Sequence, residues 1–275
     1  RSSTRAERPQ QPRMLGTRYR WVSVGLFLLV MLDAFVALGV TTIMPTVSGQ
    51  LNGAGLYALA FAGPVAVSAV GMVLAGIWCD KGNPRAALVV SVIVFAAGLT
   101  MVTVAPSMIA FIGGRLVHGF AGGAIAVALY VVVARVYPQA LHASVFAAFA
   151  TAWIIPSLVG PVVAGVLAET IGGRWVFFGV VLLVLLAMLI VIPAMRAVRG
   201  PAERTALVRA DAVRVGLALI VASSALVITV TAELRGIVQW LAPTVAAVVV
   251  VIALRPLLPG GTLRGRRGLP SVVLL

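Results

Sequence analysis

Cysteine, histidine and acidic side chains are nearly missing from these 275 residues. The single cysteine, Cys79, excludes an intramolecular disulfide framework and any cysteine-rich metal site. His118 and His142 leave no cluster for a metal-ligating constellation, so neither a metal nor a cofactor is expected. Enzyme motifs are absent too: there is no His-Glu-x-x-His zinc pattern, no Gly-x-Ser-x-Gly nucleophile turn and no pair of intramembrane aspartates. Charged residues make up only 10% of the chain against 61% hydrophobic ones, at a mean hydropathy of +1.12, which lies outside the range of soluble domains. The net charge of +14, from 21 Lys and Arg against 7 Asp and Glu, does not point to nucleic acid, because apolar runs too long for a globular core separate the basic residues. What is present is a polytopic membrane protein whose surroundings are a lipid bilayer.

A helix crosses a hydrocarbon core of about 30 Å with roughly 20 apolar residues. Eight stretches meet or approach that length: Trp21–Met44, Leu56–Cys79, Ala86–Val104, Met108–Val133, Ala143–Ala168, Trp175–Met195, Val215–Thr231 and Ile237–Leu254. None alternates polar and apolar residues with period two, which excludes a β-barrel. The first span is too long for a signal peptide, and no cleavage-like site follows it. The expected fold is therefore an all-α helical bundle.

Lys and Arg in short loops are retained on the cytoplasmic side. All but three of the 21 basic residues fall in the segments assigned to one face, the exceptions being Arg174 and Arg235 on the other face and Arg115 inside a span. Both ends are thus expected in the cytoplasm, in the cell's inner (plasma) membrane. The basic excess reads as a topology signal rather than a lipid or nucleic-acid site.

Two charges lie where charges are expensive. Asp33, about 12 residues into the first span, costs roughly 2.5–3.5 kcal/mol on insertion scales. Counting about 1.5 Å per residue from each membrane face puts Asp33 and Arg115 at similar depths, so an ion pair or a shared watery cavity is expected. A purely structural pair is the alternative. His118 follows Arg115 by three residues and shares its helical face, as a titrating group or as a hydrogen-bonded packing residue. Glu169 and Glu233 fall at helix ends and read as loop carboxylates.

Three local patterns then occur in order. Gly76-Ile-Trp-Cys-Asp80-Lys81-Gly-Asn83-Pro-Arg85 resembles the cytoplasmic Gly-x-x-x-Asp-Arg-x-Gly-x-Arg loop of the major facilitator superfamily, with Lys81 in place of an arginine and Asn83 in place of a glycine. Asn best replaces glycine where φ is positive, so the turn is expected to survive. Gly114-Arg115-Leu-Val-His118-Gly119-Phe-Ala-Gly122-Gly123 resembles that family's Arg-x-x-Gln-Gly-x-Gly segment, with His118 at the glutamine. The most specific is Pro156-Ser-Leu-Val-Gly160-Pro161-Val-Val-Ala164-Gly165, which resembles the helix 5 signature of the drug:proton antiporters. Its two prolines each remove a backbone donor, and Gly160, Ala164 and Gly165 form a small-residue face. The runs around Asp33 and at Gly173–Phe178 are similar to the same branch.

The resemblance implies a six-helix N-terminal half over 21–195 and, after a basic loop at 196–214, two additional helices over 215–254, as in the fourteen-helix branch. Residues 1–20 would be a basic cytoplasmic segment, and 255–275 a basic loop opening a truncated ninth helix. The C-terminal half would then be a missing partner, and the sequence reads as a fragment. The implied function is proton-coupled efflux of a small lipophilic or amphipathic drug by alternating access, with Asp33, Arg115 and His118 in proton coupling, Gly76, Asp80, Lys81 and Arg85 in a gating loop, and Phe35 and Trp153 as cavity aromatics. The substrate and the protons are the remaining partners. A facilitator for a polar metabolite such as a sugar shares the fold but needs polar cavity residues, which these spans lack. A receptor-like or scaffolding membrane protein leaves Asp33, Arg115 and the double-proline helix unexplained together.

Overall fold

The computed structural model describes residues 14–16, 19–195, 208–231 and 238–254. Most of the basic N-terminal segment, the loop 196–207, the 232–237 connection with Glu233 and Arg235, and 255–275 lie outside the described residues. Eight helices follow in order: α1 (Arg20–Gln50), α2 (Tyr57–Lys81), α3 (Pro84–Val104), α4 (Met108–Val136), α5 (Gln139–Leu167), α6 (Gly173–Ala194), α7 (Arg209–Thr231) and α8 (Val238–Leu254). No strand occurs among the described residues. The expected all-α bundle is therefore the observed one.

Helix ends follow local chemistry. Asn52 takes the left-handed conformation after α1 (φ 49°), and the Gly53 N–H donates to Ser48 O at 2.9 Å in a Schellman-type closure. Ser107 caps α4, its hydroxyl accepting from Ala110 N at 3.3 Å. The helical stretch from Gln139 to Pro193 runs 55 residues, far more than one crossing needs. It is two crossings. A π-helical turn at Ala168–Gly172 ends at Gly172 with φ 93°, and the chain reverses there. Gly39 of α1 accordingly lies against Ala164 before the reversal, while Gly25 lies against Ala187 and Val191 after it.

Several expected bounds shift. Helix α1 continues past Met44 through Pro45 to Gln50, because proline is tolerated in a membrane helix where neighbouring groups satisfy the freed carbonyl. Helix α5 starts at Gln139, four residues early. Helix α7 starts at Arg209 rather than Val215, so Asp211 and Arg214 belong to a helix and not to the loop. Asn83 does not take a positive φ. It sits at φ −97° as the N-cap of α3, its side chain accepting from Arg85 N at 3.0 Å, with Pro84 at the first helical position.

Helices α4, α3, α6, α1 and α5 pack as a ring in that order, closed only sparsely between α5 and α4, which leaves a gap there, and α2 packs along α4. Two seams rest on small residues. On α4, Gly119 lies against Pro64 and Gly123 against the Ser68 backbone of α2. On α5, the buried residues Leu141, Val145, Phe149, Ala152, Pro156, Gly160 and Ala164 recur every three or four positions, and the small ones at Gly160 and Ala164 lie against Phe35 and Gly39 of α1. At one end of the bundle, Ser23 donates to Met14 O at 2.8 Å and shares a 2.7 Å hydrogen bond with the Tyr137 hydroxyl. At the other end, Arg174 donates to Ala105 O at 2.8 Å, so this basic residue also closes α3 against α6.

The charge rule gives a direct test of orientation. With Cys79 replaced by serine, cysteines introduced at Gly55 and Ile171, both exposed, are expected to react with a membrane-impermeant maleimide from outside intact cells. A cysteine at exposed Gln139 is expected to react only after permeabilisation. The reverse pattern would refute a cytoplasmic N-terminus. Gly172 is unsuitable as a labelling site because a side chain at φ 93° is strained.

Candidate functional site

Where α1, α4 and α5 meet, the gap in the ring is a cavity of about 250 Å³. Asp33 enters it from α1, Tyr130 from α4, and Phe146, Phe149 and Trp153 from α5. The aromatic rings touch one another. Tyr130 lies 5.2 Å from Phe146 and 6.3 Å from Phe149, centroid to centroid, and Phe146 lies 6.2 Å from Phe149. Asp33 is half-buried and has no hydrogen-bond or ion-pair partner among the described residues. Its carboxylate rests against bare α4 backbone, since a Cβ at Gly122 would stand 3.2 Å from Oδ1. A larger groove of about 680 Å³ opens between α2, α3 and α4 around Trp78, Lys81 and Phe120. It is lined mostly by apolar side chains and holds no carboxylate, so the smaller cavity is the candidate site.

The expected level pairing of Asp33 with Arg115 is not what the structure shows. Asp33 faces Gly122, midway along α4, and Arg115 stands seven residues nearer the start of that helix, about 10 Å along its axis. Equating apolar-run ends with membrane faces misplaced Asp33, because α1 extends to Gln50, well past the run. No ion pair within 4.0 Å joins the two groups among the described residues.

Arg115 and His118 do come together. Both are buried, at 4% and 5% exposure, and Arg115 Nη1 donates to His118 Nδ1 at 3.3 Å. A guanidinium can only donate, so that contact puts the imidazole proton on Nε2. Neither His118 Nε2 nor Arg115 Nε has a partner among the described residues. The Phe95 ring lies against the imidazole, tilted by 53° with centroids 4.4 Å apart.

Phe35 lies outside the cavity. Two residues beyond Asp33 it projects about 200° around α1, and its ring packs on Gly160 and Gly39 in the α1/α5 seam. Trp153, 45% exposed, does line the cavity. Of the helix 5 signature, Pro156 and Gly160 are buried in that seam, Gly165 lies near Thr42, and Pro161 is exposed; the helix stays continuous through both prolines. In the α2–α3 loop, Asp80 is exposed, Gly76 has room above it as far as Val127, and Lys81 forms an ion pair with Asp211 of α7. Arg85 is half-buried in the first turn of α3. Sequence reasoning missed Tyr130, Phe146, Phe149 and Asp211. The pair Tyr130 and Phe149 carries no local signal, but Phe146 and Phe149 at i, i+3 with Trp153 four further on mark one face of α5.

A helical bundle with charged groups at mid-membrane depth and a cavity between its first, fourth and fifth helices has the architecture of a polytopic transporter. The chain belongs to the Major Facilitator Superfamily, whose profile matches residues 26–274. Among curated relatives, it is 27% identical over 240 residues to a probable multidrug-efflux transporter of Mycobacterium tuberculosis, covering 87% of this chain and 51% of that one. It is 26% identical over 155 residues to an uncharacterized transporter of Schizosaccharomyces pombe, covering 56% and 26%, and 24% identical over 171 residues to an efflux pump of Gibberella fujikuroi, covering 61% and 30%. The chain spans about half the length, or less, of these relatives. Its fold is similar to a solved transporter of the POT family, at a TM-score of 0.60 and 14% identity over 93% of this chain and 58% of that one.

Proposed function

We propose that this chain is the N-terminal portion of a proton-coupled exporter that moves lipophilic or amphipathic compounds outward by alternating access. One observation carries the reading: a half-buried carboxylate at mid-helix, without a fixed partner among the described residues, opens onto a cavity walled by four aromatic rings. The rings offer apolar and π surface to a lipophilic molecule. The carboxylate takes up and releases the proton, and the same negative charge favours substrates that carry a positive one. The names of the efflux-type relatives support this direction of transport. A second six-helix bundle would complete the cavity across the exposed apolar face of α5, where Ile154, Leu158 and Val162 are uncovered.

One proton moving down about 100 mV supplies about 2.3 kcal/mol, enough for a substrate ratio of about fifty-fold. A polar-metabolite facilitator fits less well, since Asp33, the Tyr130 hydroxyl and the Trp153 indole N–H are the only polar side-chain groups among the lining residues. Accumulation of a fluorescent lipophilic dye in cells carrying the complete gene tests the proposal. Lower accumulation that returns to control levels when an uncoupler is added is the expected result, and efflux that an uncoupler leaves unchanged refutes proton coupling.

A further inference from the structure

Asp211 stands at the third position of α7 and is only 4% exposed. Its Oδ2 accepts the Val208 N–H at 2.9 Å while the Asp211 N–H donates to Val208 O at 2.9 Å, so the residue closes the start of its own helix as in a capping box. The same oxygen takes Lys81 Nζ from the last turn of α2. Arg214 is at 3.9 Å from Oδ1, too far to compete with Lys81. Each charge also sits at the helix end that favours its sign.

The contact continues along both helices. Val70 and Val73 of α2 pack with Ala218 and Ala222 of α7, and Leu226 reaches Gly63 nearer the start of α2. The numbers fall on α2 as they rise on α7, so the helices are antiparallel and touch over most of the membrane's depth. The end of α2 is held from a second side, where Arg135 of α4 donates to Cys79 O at 3.0 Å. A helix that merely tethered two bundles would need neither a part-buried ion pair nor a continuous apolar seam with one of them.

We propose that α7 is a fixed strut of this bundle, and that Asp211 is the positioning residue that holds the Lys81 end of the α2–α3 loop. Alternating access would then carry α7 with α2, and the loop would meet other parts of the protein from a position set by the linker helix. The substitution of lysine for arginine in the loop suits this arrangement, since a single Asp oxygen receives a compact ammonium.

Cys79, fully buried two residues before Lys81, reports on the strut. In membranes containing this chain, the rate of Cys79 modification by N-ethylmaleimide is expected to rise roughly tenfold in Asp211→Asn, between the small effect of an exposed ion pair and the large one of a fully buried pair. Asparagine still accepts the Val208 N–H, so this change isolates the ion pair from the cap. Lys81→Gln is expected to give the same rise, and the double variant no more than either alone. Asp211→Glu should keep Cys79 protected. An unchanged rate in Asp211→Asn, or effects that add in the double variant, overturns the proposal. In the full-length protein, Asp211→Asn is expected to lower the maximal export rate several-fold with KM within about twofold, because the ion pair is remote from the Asp33 cavity. A shift in KM at unchanged maximal rate also overturns it. The Cys79 readout requires no transport and so stands whether or not the exporter reading does.

Discussion

Replacing Asp33 by asparagine in the full-length protein is expected to abolish proton-coupled export while leaving insertion and abundance near normal. The side chains have nearly the same volume, and the carboxylate has no hydrogen bond or ion pair among the described residues to lose. Removing a mid-span charge also removes an insertion penalty of roughly 2.5–3.5 kcal/mol, so the chain should enter the membrane at least as readily. Under the proposed mechanism, what disappears is the group that would couple substrate movement to the proton gradient. At about 100 mV, the attainable substrate ratio should fall by about fifty-fold, to the level set by passive leak. Energised efflux of a lipophilic dye, normalised to the amount of protein in the membrane, checks this. Export at the wild-type rate would remove Asp33 from the mechanism. Loss of abundance in step with loss of export would make Asp33 structural.

The sequence announced the spans and their alternation more clearly than the site. Long apolar runs report bilayer thickness directly, so each of the eight expected helices has an observed counterpart. Run ends are less informative. Hydropathy stops at Met44 while α1 continues through Pro45, and a depth counted from the start of the span against a core of about 30 Å placed Asp33 level with Arg115 instead of Gly122. The Arg115 and His118 contact was legible, because it depends only on i, i+3 spacing within one helix. The aromatic wall was not, because Tyr130 and Phe149 meet across two helices whose rotation is set by distant packing. Asp211 looked like part of a basic loop for the same reason. Its partner lies 130 residues earlier in the chain, and no local pattern names it.

Glycines show the same division, and they yield the sharpest expected difference in stability. Helix α4 carries Gly113, Gly114, Gly119, Gly122 and Gly123, which a sequence presents as roughly equivalent small residues. The structure separates them. A Cβ at Gly113 would meet nothing within 4 Å, whereas one at Gly119 would collide with the Pro64 backbone and one at Gly123 with the Ser68 backbone of α2. Rotamer changes cannot relieve those collisions, because the opposing atoms belong to main chain. The α2/α4 seam would have to open along its length, exposing its packed surface without any gain from lipid, whose tails are as apolar as the seam. Gly119→Leu and Gly123→Leu are therefore expected to cost more than the ~1–3 kcal/mol typical of overpacking. Gly113→Leu, on the same helix and of the same composition, is expected to be nearly neutral. Detergent-solubilised chains followed by thermal unfolding and by monodisperse recovery give the comparison, with the first two variants aggregated or strongly destabilised and the third close to the parent. Equal behaviour of all three would mean that α2 and α4 do not pack through Gly119 and Gly123, and the placement of α2 along α4 would fall with that seam.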